Sequence, residues 1–283
     1  MNYRHAFHAG NFADVLKHAV LCRILAHLRA KPAPFRVIDT HAGAGLYDLS
    51  GPEARRSGEW RGGIGRLLGA APPPALAALL APYLEIVARL NPDGAPTIYP
   101  GSPALVRAML REHDRLLACE LEPRARAALA RHMGRDARVQ IVEADGWTAL
   151  GANVPPKERR GLVLVDPPFE GADEFDRLAG GLLAAHRKWA TGTFMLWYPI
   201  KDRRGPDLLA RRLQRSGIPK ILRAELTVAR LGEAPSLAGC GLILVSPPWT
   251  LPAELEAMLP ALAALLAPVR AGGWRLEWLS AEK

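Results

Sequence analysis

Hydrophobic positions along the chain alternate between two spacings. Residues 10–31, GNFADVLKHAVLCRILAHLRAK, place Val15, Leu16, Ala19, Val20 and Ile24 on one side of a helix. Asn11 is a good N-cap for it, Asp14 completes a capping-box-like start, and Pro32 and Pro34 end it. FRVIDTHAGAG (35–45) is a short strand that breaks into a glycine-rich turn. Strand-like runs recur at RLLACELEP (115–123), RVQIVEAD (138–145), GLVLV (161–165), TGTFMLWYP (191–199), KILRAELTVA (220–229) and GLILVSPPW (241–249). Helical stretches at 123–133, 174–190 and 206–216 separate several of them. This alternation predicts an α/β fold with a mostly parallel, doubly wound sheet.

One interval is out of proportion. In a βαβ unit the acidic residue usually follows the glycine turn by about 20 residues. Here roughly three times that distance separates the glycine turn from the next clear strand, which implies an insertion. Residues 47–99 contain PPPALAALLAPYLEIVARLNP, so the inserted subdomain is expected to be helical, within one domain spanning 1–283.

Composition narrows the setting. A chain of 283 residues can bury a full core as one large domain or two small ones. The net charge of +9 points to an anionic partner, nucleic acid first, although arginine-rich coding alone would also raise it. Cys22, Cys119 and Cys240 are odd in number and widely spaced, which fits a reducing cytosol and neither a disulfide framework nor a cysteine-type zinc site. The first residues lack an apolar signal core, and the alanine- and leucine-rich stretches 75–90 and 259–268 are interrupted by prolines or charges. A cytoplasmic protein without a membrane span is therefore expected.

The candidate chemistry sits at strand ends. GLVLVDPPFE (161–170) stops a buried strand with Asp166, two prolines that cannot donate to a sheet ladder, and the ring of Phe169. DTHAGAG offers Gly43 and Gly45 as G-x-G, but the third glycine of a dinucleotide fingerprint falls on Asp48. A plain tight turn would give the same residues. Together with Asp39 and Glu120 at strand ends, the turn suits a ribose-bearing ligand without pyrophosphate, such as S-adenosylmethionine. EADG (143–146) would put Asp145 where an adenine amino group is read, or would simply be a turn acid.

DPPF fits methylation of an exocyclic amine on a planar ring. Asp166 and the Pro167 carbonyl would accept the two N–H groups, and Phe169 would stack on the ring. The base must leave its stack to reach such a site. SPPW (246–249) copies the pattern but is read as structural, because Ser246 ends what is taken for the last strand, beyond the crossover region. WYP (197–199) is read as a pocket wall or core edge. Tyr3, Arg4, His5, His8, Lys17 and His18 cluster at the N-terminus without metal-ligand spacing, so no metal is expected. Lys17 and His18 are either a solvated helix face or part of a segment over the cofactor pocket, where Arg4 and Lys17 touch substrate phosphate.

YRHAFHAGNFADVLKH, DTHAGAG, YPGSP (99–103), the acidic strand end, EADG and DPPF together resemble the bacterial 23S ribosomal RNA adenine-N6 methyltransferases of the RlmJ type, from Tyr3 to the SPPW strand. The resemblance implies a Rossmann-like methyltransferase core with a helical insertion. It further implies S-adenosylmethionine contacts at His18, His41, Ser102, Glu120, Asp145 and Gly146, with Asp166 at the catalytic centre and Tyr3 and Lys17 at the substrate entrance. Phe12 stands where a histidine is expected, and Phe169 replaces the tyrosine of DPPY. The expected activity is N6 methylation of an adenine in 23S ribosomal RNA by a monomer. DNA adenine methylation and a non-catalytic RNA-binding or assembly role are the alternatives; no target-recognition domain is visible for the first, and a pure binder would not need Asp166, Glu120 and the glycines.

Overall fold

The computed structural model describes residues 4–232, 237–267 and 272–281. The chain opens with helix α1 (Phe12–Arg29) and strand β1 (Arg36–Asp39), followed by β2 (Leu46–Asp48), α2 (Pro52–Ser57), α3 (Ile64–Leu68), α4 (Pro74–Leu90) and β3 (Ile98–Pro100). Then come α5 (Ser102–Met109), β4 (Arg115–Cys119), α6 (Pro123–Met133), β5 (Val139–Val142), α7 (Gly146–Ala152), β6 (Gly161–Val165) and α8 (Glu174–Lys188). The last elements are β7 (Thr193–Ile200), α9 (Arg204–Gln214), β8 (Ile221–Thr227), β9 (Gly239–Val245), α10 (Leu251–Leu266) and β10 (Gly273–Ser280).

Eight strands form one sheet in the order β10-β8-β9-β7-β6-β1-β4-β5. From β5 to β7 every pairing is parallel; the three pairings beyond β7 are antiparallel. The mostly parallel, Rossmann-like α/β sheet expected from the sequence is therefore present. Its strands are continuously apolar because both faces are covered. Val37, Leu162, Leu164 and Met195 face the layer of α1, α4, α5 and α10, while Ile38, Val163, Val165 and Phe194 face the layer of α7, α8 and α9.

The long interval after β1 folds back on the body. β2 and β3 pair antiparallel, Tyr47 opposite Tyr99, and close its neck. The short helices α2 and α3 and the long α4 lie between. Leu80, Tyr83, Ile86 and Val87 of α4 join the core that holds α1, rather than one of their own.

Two sequence expectations need correction. β9 is not the last strand, since α10 and β10 follow it. It also runs antiparallel to β7, with Val245 opposite Phe194 near the start of β7. Ser246, whose carbonyl accepts from Thr193 Oγ1 at 3.0 Å, thus lies at the rim opposite the carboxyl ends of the parallel strands. Strand direction removes SPPW from the crevice, not distance beyond a crossover.

Candidate active site

In open α/β sheets the ligand crevice lies outside the carboxyl ends of the strands, where the strand order reverses. That point here is between β1 and β6. Asp39 ends β1, Glu120 follows β4, Asp145 lies beyond β5, and Asp166 follows β6, so four acids stand along one rim.

A cavity of about 260 Å³ opens at this rim, lined by Arg4, His18, His41, Gly43, Ser102, Glu120 and Asp166 among others. The turn after β1 is shaped for close backbone approach. Gly43 has φ +65°, and a Cβ there would meet Tyr47 Oη at 2.3 Å. Its N–H donates to Glu120 Oε2 at 2.7 Å, while Glu120 Oε1 accepts from the Glu122 N–H at 2.8 Å. Burial raises the Glu120 carboxyl above its ordinary value, against the pull of these N–H donors. A carboxylate has about four lone-pair sites, so Glu120 keeps acceptor capacity for hydroxyl groups in the cavity. Asp39 lies beneath: Ser102 Oγ donates to its Oδ2 at 2.6 Å, and among the described residues no side chain partners its buried Oδ1. Burial pushes Asp39 up to about 7, with Ser102 opposing. The glycine cradle and the Glu120 carboxylate fit a ligand carrying vicinal hydroxyls.

His18 and His41 line this cavity as neutral rings. Burial pushes His18 down to about 3 and His41 down to about 4. His18 Nδ1 shares a hydrogen bond with Tyr99 Oη at 2.7 Å, and Tyr99 in turn meets Tyr83 Oη at 2.9 Å. His41 packs edge-on against Trp147, with ring centroids 5.6 Å apart.

A second cavity, of about 620 Å³, adjoins the first and is walled by Phe12, Phe169, Trp197, Pro199 and Lys201 among others. His5, Lys17, Asp166 and Pro168 line both. Phe169 takes φ +52°, unusual for a residue with a side chain. Its ring meets Phe175 and Trp197 edge-on at 4.9 and 5.8 Å. WYP is thus a wall, through Trp197 and Pro199.

Lys17 overturns its sequence reading. It is buried, neither on a solvated face nor free for a phosphate. Its Nζ donates to Asp166 Oδ2 at 2.5 Å and to Asp14 Oδ1 at 2.8 Å. Burial pulls its ammonium down, but Asp14 and Asp166 together hold it well above the ordinary value. Asp14, in the first turn of α1, also accepts from the Gly10 N–H and pairs with His5 Nε2 at 3.0 Å. Burial would raise its carboxyl; His5 and Lys17 keep it well below the usual range. His18 is likewise buried rather than solvated.

Other expected residues fall elsewhere. Arg4 reaches the smaller cavity beside Glu53, at 3.6 Å, not the larger one. Pro167 is buried behind the wall that Asp166 and Pro168 present. Asp145 and Gly146 do not line either cavity: Asp145 caps α7 through the Thr148 N–H at 2.9 Å, and a Cβ on Gly146 would meet His41 Cε1 at 2.5 Å. Tyr3 lies outside the described residues. From the sequence, Asp14 reads only as a helix cap, and its spacing of three from Lys17 is the one signal of an ion pair. Glu59 was missed altogether, and it accepts from Asn11 Nδ2 and pairs with His8, both at 3.0 Å.

Known proteins are similar to this chain over most or all of its length. The family model described as RsmJ, Ribosomal RNA large subunit methyltransferase D, RlmJ, matches residues 32–280. A protein of Haemophilus influenzae named Ribosomal RNA large subunit methyltransferase J is 38% identical over 283 residues, covering all of both chains. Its namesake in Escherichia coli is also 38% identical, over 282 residues and all of both chains. A crystal structure of a Legionella pneumophila protein superposes with a TM-score of 0.87 at 32% identity, covering 95% of this chain and 98% of that one. The chain belongs to the RlmJ family of ribosomal RNA large subunit methyltransferases.

Proposed function

We propose that the protein transfers a methyl group from S-adenosylmethionine to the N6 amine of an adenine in 23S ribosomal RNA. One observation carries the reading: Asp166, at the head of DPPF, stands on the wall common to two adjoining cavities. A donor in one and an acceptor in the other would meet at that carboxylate.

S-adenosylmethionine, when bound, supplies an electrophilic methyl group on a sulfonium. Gly43 gives it close backbone approach and Glu120 accepts from ribose hydroxyls, while Asp39, buried beneath the cavity, holds the Ser102 hydroxyl in place. His18, His41 and Ser102 complete that wall. Asp145 and Gly146 act from behind, by capping α7 and leaving room for the His41 ring.

The larger cavity takes the base. Its volume falls in the usual range for small-ligand sites, and Phe12, Phe169 and Trp197 give it aromatic walls. Base–aromatic stacking is worth about 1–3 kcal/mol. Lys17 occupies Asp166 Oδ2 and so fixes the carboxylate, leaving Oδ1 to accept an N–H of the amine. That hydrogen bond draws the nitrogen lone pair out of the ring. Asp166 need not be a strong base, because the proton is lost after methyl transfer, when the nitrogen is far more acidic. The two prolines hold the carboxylate still, which preserves the advantage of orientation.

The test is methyl transfer from labelled S-adenosylmethionine to protein-free, unmodified 23S RNA, with nucleoside analysis and duplex DNA as control. Wild type should yield N6-methyladenosine on RNA alone. Asp166→Ala should lose at least about a hundredfold in turnover, as expected for a group that acts on the reacting atoms, while still binding the cofactor. Transfer to DNA alone would replace the RNA reading with the DNA one. Cofactor binding without transfer to either substrate would count against the assignment of protein-free RNA as substrate.

A further inference from the structure

Strand β10 closes one edge of the sheet. Among the described residues only β8 pairs with it, so its outer edge carries unpaired backbone groups. Natural edges of this length are blunted by lysine, proline, inward charges or a bulge. Gly273–Ser280 has no lysine or proline, its bulge lies between Trp278 and Ser280, at the far end, and its two charges, Arg275 and Glu277, are of opposite sign, 3.8 Å apart and 44% and 41% exposed. Trp274 and Trp278 remain 49% and 46% exposed on one face.

The order of residues along β10 is self-complementary. Trp274, Arg275, Leu276, Glu277 and Trp278 read the same in both directions, except that the two charges have opposite sign. We propose that β10 pairs antiparallel with β10 of a second copy, about a two-fold axis through Leu276, so that the two sheets join. In that register Trp274 faces the second copy's Trp278, and Arg275 faces the second copy's Glu277.

The neighbouring strand extends the match. Within the chain, Glu277 lies opposite Arg223, whose Nη1 donates to it at 3.1 Å, and Arg275 lies opposite Glu225 at 3.7 Å. Across the joined sheets one row becomes Arg223, Glu277, then the second copy's Arg275 and Glu225. The symmetry-related row reverses it. Charge alternates along both rows, and opposite charges directly across strands stabilise pairing where like charges destabilise it. On the other face the row is Leu226, Trp274, then the second copy's Trp278 and Leu222. A parallel or shifted register loses the alternation. Five residue pairs make a small interface, under about 1,200 Å², so the dimer is weak and depends on concentration. It departs from the monomer expected from the sequence.

Sedimentation equilibrium of the full chain over a wide concentration range tests this directly. Wild type should self-associate. Arg275→Glu sets Glu against Glu277 of the second copy, and Glu277→Arg sets Arg against Arg275, so each variant alone should associate at least about tenfold more weakly. An equimolar mixture of the two restores both pairs and should recover wild-type association. Cysteine cross-linking gives an independent reading, because Cys22, Cys119 and Cys240 are all buried. Under oxidation Leu276→Cys should give a covalent dimer, whereas Trp274→Cys, displaced from its own mate, should not. If a charge variant melts early, the cysteine pair decides. A wild type that stays monomeric at every concentration, a mixture that does not recover, or equal cross-linking of the two cysteine variants would overturn the proposal.

Discussion

A single ammonium group shapes the chemistry of the larger cavity. Lys17 donates to Asp166, 149 positions away, and to Asp14 within its own helix. DPPF was legible because its residue types are adjacent in the chain. Its counter-ion was not, because only the fold brings α1 across the end of β6. Asp39 shows a second consequence of burial. Its carboxyl is raised from 3.8 to about 7, so between those values the folded state holds a proton the unfolded chain does not. That contribution to stability is complete below about pH 4 and is lost as pH rises through 7. Asp39→Asn removes the cost of a buried charge, so its melting temperature should exceed that of wild type at pH 8 and converge with it toward pH 5. His18, depressed to about 3 by burial, acts with the opposite sign, and its contribution falls away as pH drops from 6.5 toward 3. Thermal unfolding across pH 4–8 separates the two.

At the scale of elements, periodicity located most strands and helices but could not orient them. DPPF and SPPW follow equally apolar strands, yet β6 runs with its neighbours and β9 runs against β7. Only pairing partners, which a sequence does not display, tell the two motifs apart. Trp249 is 83% exposed at the opposite rim, so Trp249→Ala should leave methyl transfer unchanged and shift stability by no more than about 0.5 kcal/mol. The start of α1 was readable in detail. Asn11 Oδ1 accepts from the Ala13 and Asp14 N–H groups, both at 3.0 Å, as its type and position foretold. Asn11→Ala should cost about 1 kcal/mol, a drop of roughly 2–4 °C in Tm for a domain of this size, read by calorimetry. Other elements escaped notice. α7 is only seven residues long, and α10 carries Pro260 inside it, which obscures its repeat. β10 does alternate, but tryptophan and arginine on half-exposed positions do not look like a core-facing strand.

For the molecule as a whole, the sequence announced a doubly wound sheet and its acidic rim, since those depend on local spacing and on residue type. It gave no account of how residues 46–100 return to the body, because tertiary packing of α4 on α1 decides that. The common wall between the cavities has a thermodynamic meaning of its own. Any ligand that shifts the Lys17–Asp166 pair in one cavity alters what the neighbouring cavity offers. The two ligands must then be linked, and linkage is reciprocal: the factor by which donor strengthens acceptor equals the factor by which acceptor strengthens donor. Titration calorimetry with S-adenosylhomocysteine and a short adenine-containing RNA, each in the absence and presence of the other, should return one shared factor. Lys17→Met should bring that factor close to one. The enzyme would then still hold each ligand, but neither would report the presence of the other, and cofactor exchange would proceed without regard to whether RNA was in place.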